Sequence, residues 1–158
     1  MIFDTGSSWT WVSSNLCQDC PGDEAFDITT SSSFSSQRKS ADLGYGSGYC
    51  SGYISTDLVC VTESECSESF NFVLVTSQDG LETLDSDGIV GLGPTKDPET
   101  SLFIDRMKSS GAIQSAVFSF AIDPSGQSSY MTLGGYDTYR FATSELNWHP
   151  IDVSTEFW

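Results

Sequence analysis

Basic residues are scarce in this sequence. Lys and Arg total 6 against 22 Asp and Glu, for a formal charge of −16 and a pI near 4.1. So acidic a surface repels phosphate backbones, which argues against a nucleic-acid partner or an anionic membrane. At pH 7 it also repels itself, and charge alone leaves open whether it serves solubility or an acidic compartment. There is one histidine, His149, and the five cysteines are scattered (Cys17, Cys20, Cys50, Cys60 and Cys66). That poverty of clustered ligands argues against a zinc site, and no metal or cofactor is expected. No apolar run reaches the length of a membrane span. No Asn-x-Ser/Thr acceptor occurs, so nothing calls for N-glycosylation. Nor does a signal peptide open the chain, because Met1-Ile2-Phe3 runs directly into an acidic motif.

What is present is a packable chain. The 158 residues suffice for one domain or one lobe of something larger, and 38% hydrophobic content with 13% aromatics argues against disorder. Gly, Ser and Thr abound and apolar runs are short, which suits strands joined by turns. Trp9-Thr10-Trp11-Val12 alternates in the β manner. Ala41–Tyr45 and Gly48–Ser55 flank a tight Gly46-Ser47 turn, a hairpin signature. Leu58–Thr62, Phe70–Thr76, Gly88–Leu92, Ala116–Ile122 and Tyr130–Leu133 continue the series. The Ser-rich run from Thr29 to Ser36 reads as a surface turn pinned by Phe26 and Phe34. One helix is expected near 100–110, with capping residues at Glu99-Thr100-Ser101, an apolar face of Leu102, Phe103, Ile104 and Met107, and a stop at Gly111. The fold class is therefore all-β with one or two short helices.

The cysteines bear on compartment. Cys17-x-x-Cys20 has the spacing of a redox pair, but no βαβ pattern surrounds it, and its turn-rich setting favours a small disulfide loop. Cys60 and Cys66 could close a second loop, which leaves Cys50 without a partner. Disulfides imply the secretory route: extracellular, lysosomal or vacuolar. A disulfide-bearing chain with no targeting segment reads as cut short at its front.

Chemistry concentrates in Phe3-Asp4-Thr5-Gly6-Ser7-Ser8. A glycine here lets backbone N–H groups approach the aspartate, and hydroxyls add hydrogen bonds that favour its ionised form. Alone, Asp-Thr-Gly reads more readily as an Asx turn than as a catalytic loop. It does not stand alone. Tyr45-Gly46-Ser47-Gly48 caps the hairpin, Asp87-Gly88-Ile89-Val90-Gly91-Leu92-Gly93 is an apolar strand framed by glycines, and Leu133-Gly134-Gly135-Tyr136-Asp137 follows. By residue type alone Asp87 and Asp137 are turn residues, and Trp11 could be a core aromatic.

In this order the segments resemble the pepsin and cathepsin D family of aspartic proteases, and the likeness runs through residues 1–158. The resemblance implies an acid-protease lobe with Asp4 as a catalytic carboxylate, oriented by Gly6 and Ser7. Tyr45, Gly46 and Ser47 would form a flap over a peptide or protein substrate, with Trp11 supporting the flap tyrosine. Ile89-Val90-Gly91 would cross beneath the aspartate loop, and Cys17–Cys20 matches a small disulfide loop of many members, here unusually short. The family uses two carboxylates, yet no second Asp-Thr-Gly or Asp-Ser-Gly occurs in the sequence. The resemblance therefore implies that residues 1–158 are the amino-terminal lobe, that a carboxy-terminal lobe supplies the partner aspartate, and that this chain alone is inactive. A self-associating lobe of the retroviral kind and a non-catalytic peptide-binding relative are the alternatives.

Overall fold

The computed structural model describes residues 1–152, 154–155 and 158. Six strands form one sheet: β1 (Ile2–Asp4), β2 (Trp11–Ser13), β3 (Ser35–Gly44), β4 (Tyr49–Cys60), β5 (Cys66–Asp79) and β6 (Gly88–Gly91), in the spatial order β1-β6-β2-β5-β4-β3. Helix α1 (Phe103–Ser109) packs on β5. A separate hairpin of β7 (Phe118–Ala121) and β8 (Tyr130–Leu133) follows, then the single turn α2 (Thr138–Phe141). The protein is all-β with two short helices. Among the described residues no helix is long and apolar enough to cross a membrane.

β5 explains why the sheet is buried on both faces. Its side chains alternate with period two. Phe70, Phe72 and Leu74 enter one cluster with Val90, Leu92, Phe103, Ile104 and Met107, while Val73 and Val75 enter another with Trp11, Cys50, Leu81 and Ile89. The first cluster seats α1. The second lies under the hairpin of β3 and β4.

The long strands exceed what local pattern suggests. β3 begins at Ser35, not Ala41, so the end of the Ser-rich run and the polar stretch after it are strand. That strand is a solvent-exposed edge, interrupted by a bulge between Ser36 and Lys39 with Arg38 at φ 57°. A bulge and two cations are the usual protection of a free edge, and they erase the apolar alternation that would announce a strand. β4 runs unbroken through Thr56 and Asp57, where a gap separates two expected segments. The turn before β3 is pinned as expected, with the Phe26 and Phe34 rings 5.8 Å apart. Buried Asp57 adds a second anchor: its carboxylate accepts from the Ser31 and Ser33 hydroxyls and from the Leu58 N–H.

The helix also differs at its start. α1 begins after Leu102, which gives no side-chain cap, and the Ser101 hydroxyl instead accepts the Asn71 N–H at 2.9 Å. Ser101 is thus spent on joining helix to sheet. Disulfides link Cys17 to Cys20 and Cys60 to Cys66, and Cys50 is free and buried.

Candidate active site

β1 ends at Asp4, and its register beside β6 fixes where the carboxylate emerges. Asp4 faces Gly91 across the parallel pair, and the Leu92 N–H donates to the Asp4 carbonyl at 2.8 Å. The chain then turns back over β6, and the Gly93 N–H donates to the Ser7 carbonyl at 2.7 Å. This crossing is tight. A Cβ at Gly91 would lie 2.4 Å from the Ser8 carbonyl carbon, so only glycine lets strand and loop touch here.

Two donors hold the Asp4 carboxylate. Oδ1 accepts the Gly6 N–H at 2.9 Å, and Oδ2 accepts the Ser7 hydroxyl at 2.5 Å. Both hold the carboxylate in one orientation. The Asx-turn reading of the motif is therefore true of its geometry, and the second oxygen is engaged as well.

The hairpin of β3 and β4 brings Tyr45 to the same place. Tyr45 and Gly48 exchange backbone hydrogen bonds across Gly46-Ser47, at 2.7 and 3.3 Å, closing the two-residue turn. The Tyr45 hydroxyl accepts the Trp11 indole N–H at 2.9 Å. Trp11 is fully buried, so its one polar atom has its partner in the hairpin. Burial above all, and then the Cys50 thiol, push the Tyr45 phenol up to about 12, while hydrogen bonds with Trp11 and Ser7 pull the other way. Tyr45 is therefore a neutral phenol at any physiological pH. Burial, with Asp42 nearby, likewise pushes the Cys50 thiol up to about 12, which leaves it an inert packing group.

Asp4, Gly6, Ser7, Trp11 and Tyr45 thus form one connected set. Gly46 and Ser47 sit at the exposed tip of the hairpin. A cleft of about 300 Å³ opens beside them, lined by Gly6, Ser7, Ser8, Trp9, Leu43 and Tyr45 among others. A larger apolar cavity of about 370 Å³, between Phe3, Val12, Phe72, Val90 and Phe103, contains none of the site residues. Asp87 and Asp137 each hold backbone N–H groups, Asp87 across the fold rather than within its own turn and Asp137 at a helix start. The Asp87 Oδ1 accepts from the Asp23 and Glu24 N–H groups, and Asp137 caps α2 by accepting from the Arg140 N–H. Among the described residues no group of acidic, histidine and cysteine side chains could hold a metal ion.

Sequence reasoning misses two contributors. Cys50 lies beneath Tyr45 in the cluster that holds Trp11, and Leu81 completes that cluster from the turn after β5. Neither belongs to a motif, since both reach the site only through tertiary packing.

The fold is a β-sheet lobe that sets one held carboxylate beside a tyrosine-tipped hairpin. The family model of eukaryotic aspartyl protease matches residues 1–158, and the chain belongs to that family. It is 32% identical to chymosin of Bos taurus over its whole length, covering 42% of that protein, and 32% identical to pregnancy-associated glycoprotein 2 of Bos taurus, covering 43%. Plasmepsin IV of Plasmodium falciparum is 31% identical over 99% of the chain and 38% of its own length. The chain thus spans about two fifths of the length of the curated relatives it matches.

Proposed function

We propose that this chain is the amino-terminal lobe of a two-lobed aspartic endopeptidase and that Asp4 is one of its two catalytic carboxylates. The observation that carries the reading is the Asp4 carboxylate fixed by Gly6 and Ser7 within reach of the Tyr45 hairpin. Asp123 makes the same pair of hydrogen bonds in an exposed turn, so the Tyr45 hairpin beside Asp4 is what sets this turn apart.

Aspartic proteases are the standard instance of two carboxylates that share one proton, because like charges held so close cannot both ionise. The charged member takes a proton from a water, and that water attacks the scissile carbonyl carbon. The protonated member donates a hydrogen bond to the carbonyl oxygen as negative charge builds there, and the departing amine is protonated as the C–N bond breaks. Gly6 and Ser7 keep the Asp4 carboxylate aimed. The Tyr45 hairpin closes over an extended peptide and excludes water. The partner aspartate belongs to the other lobe of the same protein. The two disulfides support a secretory, lysosomal or vacuolar setting, and an acidic one suits both the shared proton and the −16 charge.

The test is Asp4→Asn in the full-length protein, assayed on a peptide library at acidic pH. Hydrolysis should fall by about a thousandfold or more, since a residue of the catalytic unit is removed. The 158-residue chain alone should not cleave. Retention of activity by the Asn variant would overturn the role of Asp4. Activity of the isolated chain rising with the square of its concentration would replace the two-lobed reading with a self-associating one.

A further inference from the structure

The tip of the tyrosine hairpin does not stand free. The backbone of Ser47 and Gly48 lies directly on the Asp79–Gly80 turn that ends β5. A Cβ at Gly48 would stand 2.2 Å from the Asp79 carbonyl oxygen, and one at Gly80 would stand 2.5 Å from the Ser47 carbonyl oxygen. Gly80 also has φ +78°, a left-handed conformation that side chains disfavour. Two facing glycines make this backbone-on-backbone contact possible.

The turn beneath the hairpin is itself braced from both sides. Gln78 Oε1 accepts the Leu81 N–H at 2.9 Å, and Glu82 Oε1 accepts the Gly80 N–H at 3.2 Å. The other end of the Gln78 amide donates to the Asp19 carbonyl, inside the Cys17–Cys20 loop. Leu81, only 3% exposed, enters the cluster that holds Trp11 and Cys50, and Tyr45 packs against that same cluster. One side of the turn is therefore tied to a disulfide loop and the other is sunk in the core. Side chains on both flanks thus brace this turn, whereas Gly46 and Ser47 at the hairpin tip are exposed.

We propose that the Gln78–Glu82 turn is a fixed rest that sets how far the tyrosine hairpin lies over Asp4, with Gly80 and Gln78 as positioning residues that act through Tyr45. The inference rests on reading the hairpin as the cover of a peptide cleft. Its measurement reads hairpin position directly, so it fails separately from any failure to hydrolyse peptides.

The experiment uses the ¹⁵N-labelled 158-residue chain. The Trp11 indole N–H resonance, assigned with Trp11→Phe, reports the bond to Tyr45, and amide exchange at Tyr45 and Gly48 reports the turn. In Gly80→Ala the added methyl meets the Ser47 carbonyl, so the indole resonance should shift and exchange at both amides should rise about tenfold. Gly126→Ala is the matched control. Gly126 has φ +73° but nothing within 4 Å of its Cβ position, so it carries the same backbone strain without the contact. Gln78→Ala removes the brace with no clash and should raise the same two exchange rates severalfold. The proposal is overturned if folded Gly80→Ala leaves resonance and exchange unchanged, or moves them no more than Gly126→Ala does. Should Gly80→Ala not fold, Gln78→Ala decides alone, and unchanged hairpin exchange in it overturns the proposal.

Discussion

At the scale of single residues, the site depends on polar atoms that have one good partner each. The Trp11 indole N–H is buried and bonded to the Tyr45 hydroxyl. Tyr45→Phe keeps the ring and its packing but leaves that donor with nothing to bond. An unpaired buried donor costs about 1–3 kcal/mol, more than the net worth of an average hydrogen bond. Urea unfolding of the variant should show a midpoint lowered by that amount with an unchanged slope, because the surface exposed on unfolding is the same. An unaltered midpoint would mean that the Trp11–Tyr45 bond is not made in solution. The titration has a definite sign. The folded phenol is raised to about 12 from an ordinary value of 10.0, so its stabilisation is fully present below pH 10 and is lost as pH climbs towards 12. The stability gap between wild type and Tyr45→Phe should therefore narrow in alkali.

At the scale of elements, the aspartate loop and the hairpin tip are legible in sequence, whereas strand lengths are not. Asp4-Thr5-Gly6-Ser7 and Tyr45-Gly46-Ser47-Gly48 use residue types that local geometry demands, so a reader sees them without neighbours. β3 gives no such signal, because an exposed edge strand carrying Arg38 and Lys39 has no apolar rhythm to detect. β4 hides another element contact. Asp57 breaks the hydrophobic pattern and looks like a turn, yet it is 5% exposed and ties the Ser31–Ser33 turn to the strand. Asp57→Ala should leave two hydroxyls and the Leu58 N–H without their acceptor and cost about 1–3 kcal/mol in thermal or urea unfolding. Asp57→Asn keeps one acceptor oxygen and should cost less. Equal losses in the two variants would show that packing, not acceptance of hydrogen bonds, is what Asp57 contributes. Leu81 and Gly80 lie at the far limit of legibility. Their part in the site exists only once β5 delivers its last residues beside a hairpin tip, Ser47–Gly48, 32 to 33 positions before Gly80.

At the scale of the whole molecule, the charge of −16 sets a dependence on pH that no single contact governs. With 22 acids and 6 cations most carboxylates have no cationic partner, and mutual repulsion opposes the compact state near pH 7. Protonation of ordinary carboxylates relieves this as pH falls towards the pI near 4.1. An opposing effect enters lower down. Hydrogen bonds from Thr29, from the Glu82 and Gly80 N–H groups, from Ser125 and from Ser154 hold Asp27, Glu82, Asp123 and Asp152 below their ordinary values of 3.8 for the aspartates and 4.5 for Glu82. Groups depressed in the folded state stabilise it above the unfolded value and stop doing so as pH drops through the folded one. Glu82 and Asp152 are exposed and Asp27 and Asp123 are half-exposed, so each contributes little, and they act together only below about pH 4. The melting temperature should therefore rise as pH falls from 7.5 towards the pI near 4.1 and fall again below it. Salt should distinguish the two limbs, because at about 0.1 M it screens exposed charges beyond roughly 10 Å. Added NaCl should raise the melting temperature at pH 7.5 and change it little near the pI of 4.1, where the net charge vanishes. If the protein melted higher at pH 7.5 than at pH 5 in low salt, self-repulsion would not be the dominant charge effect, and the case for an acidic working compartment would lose its physical support.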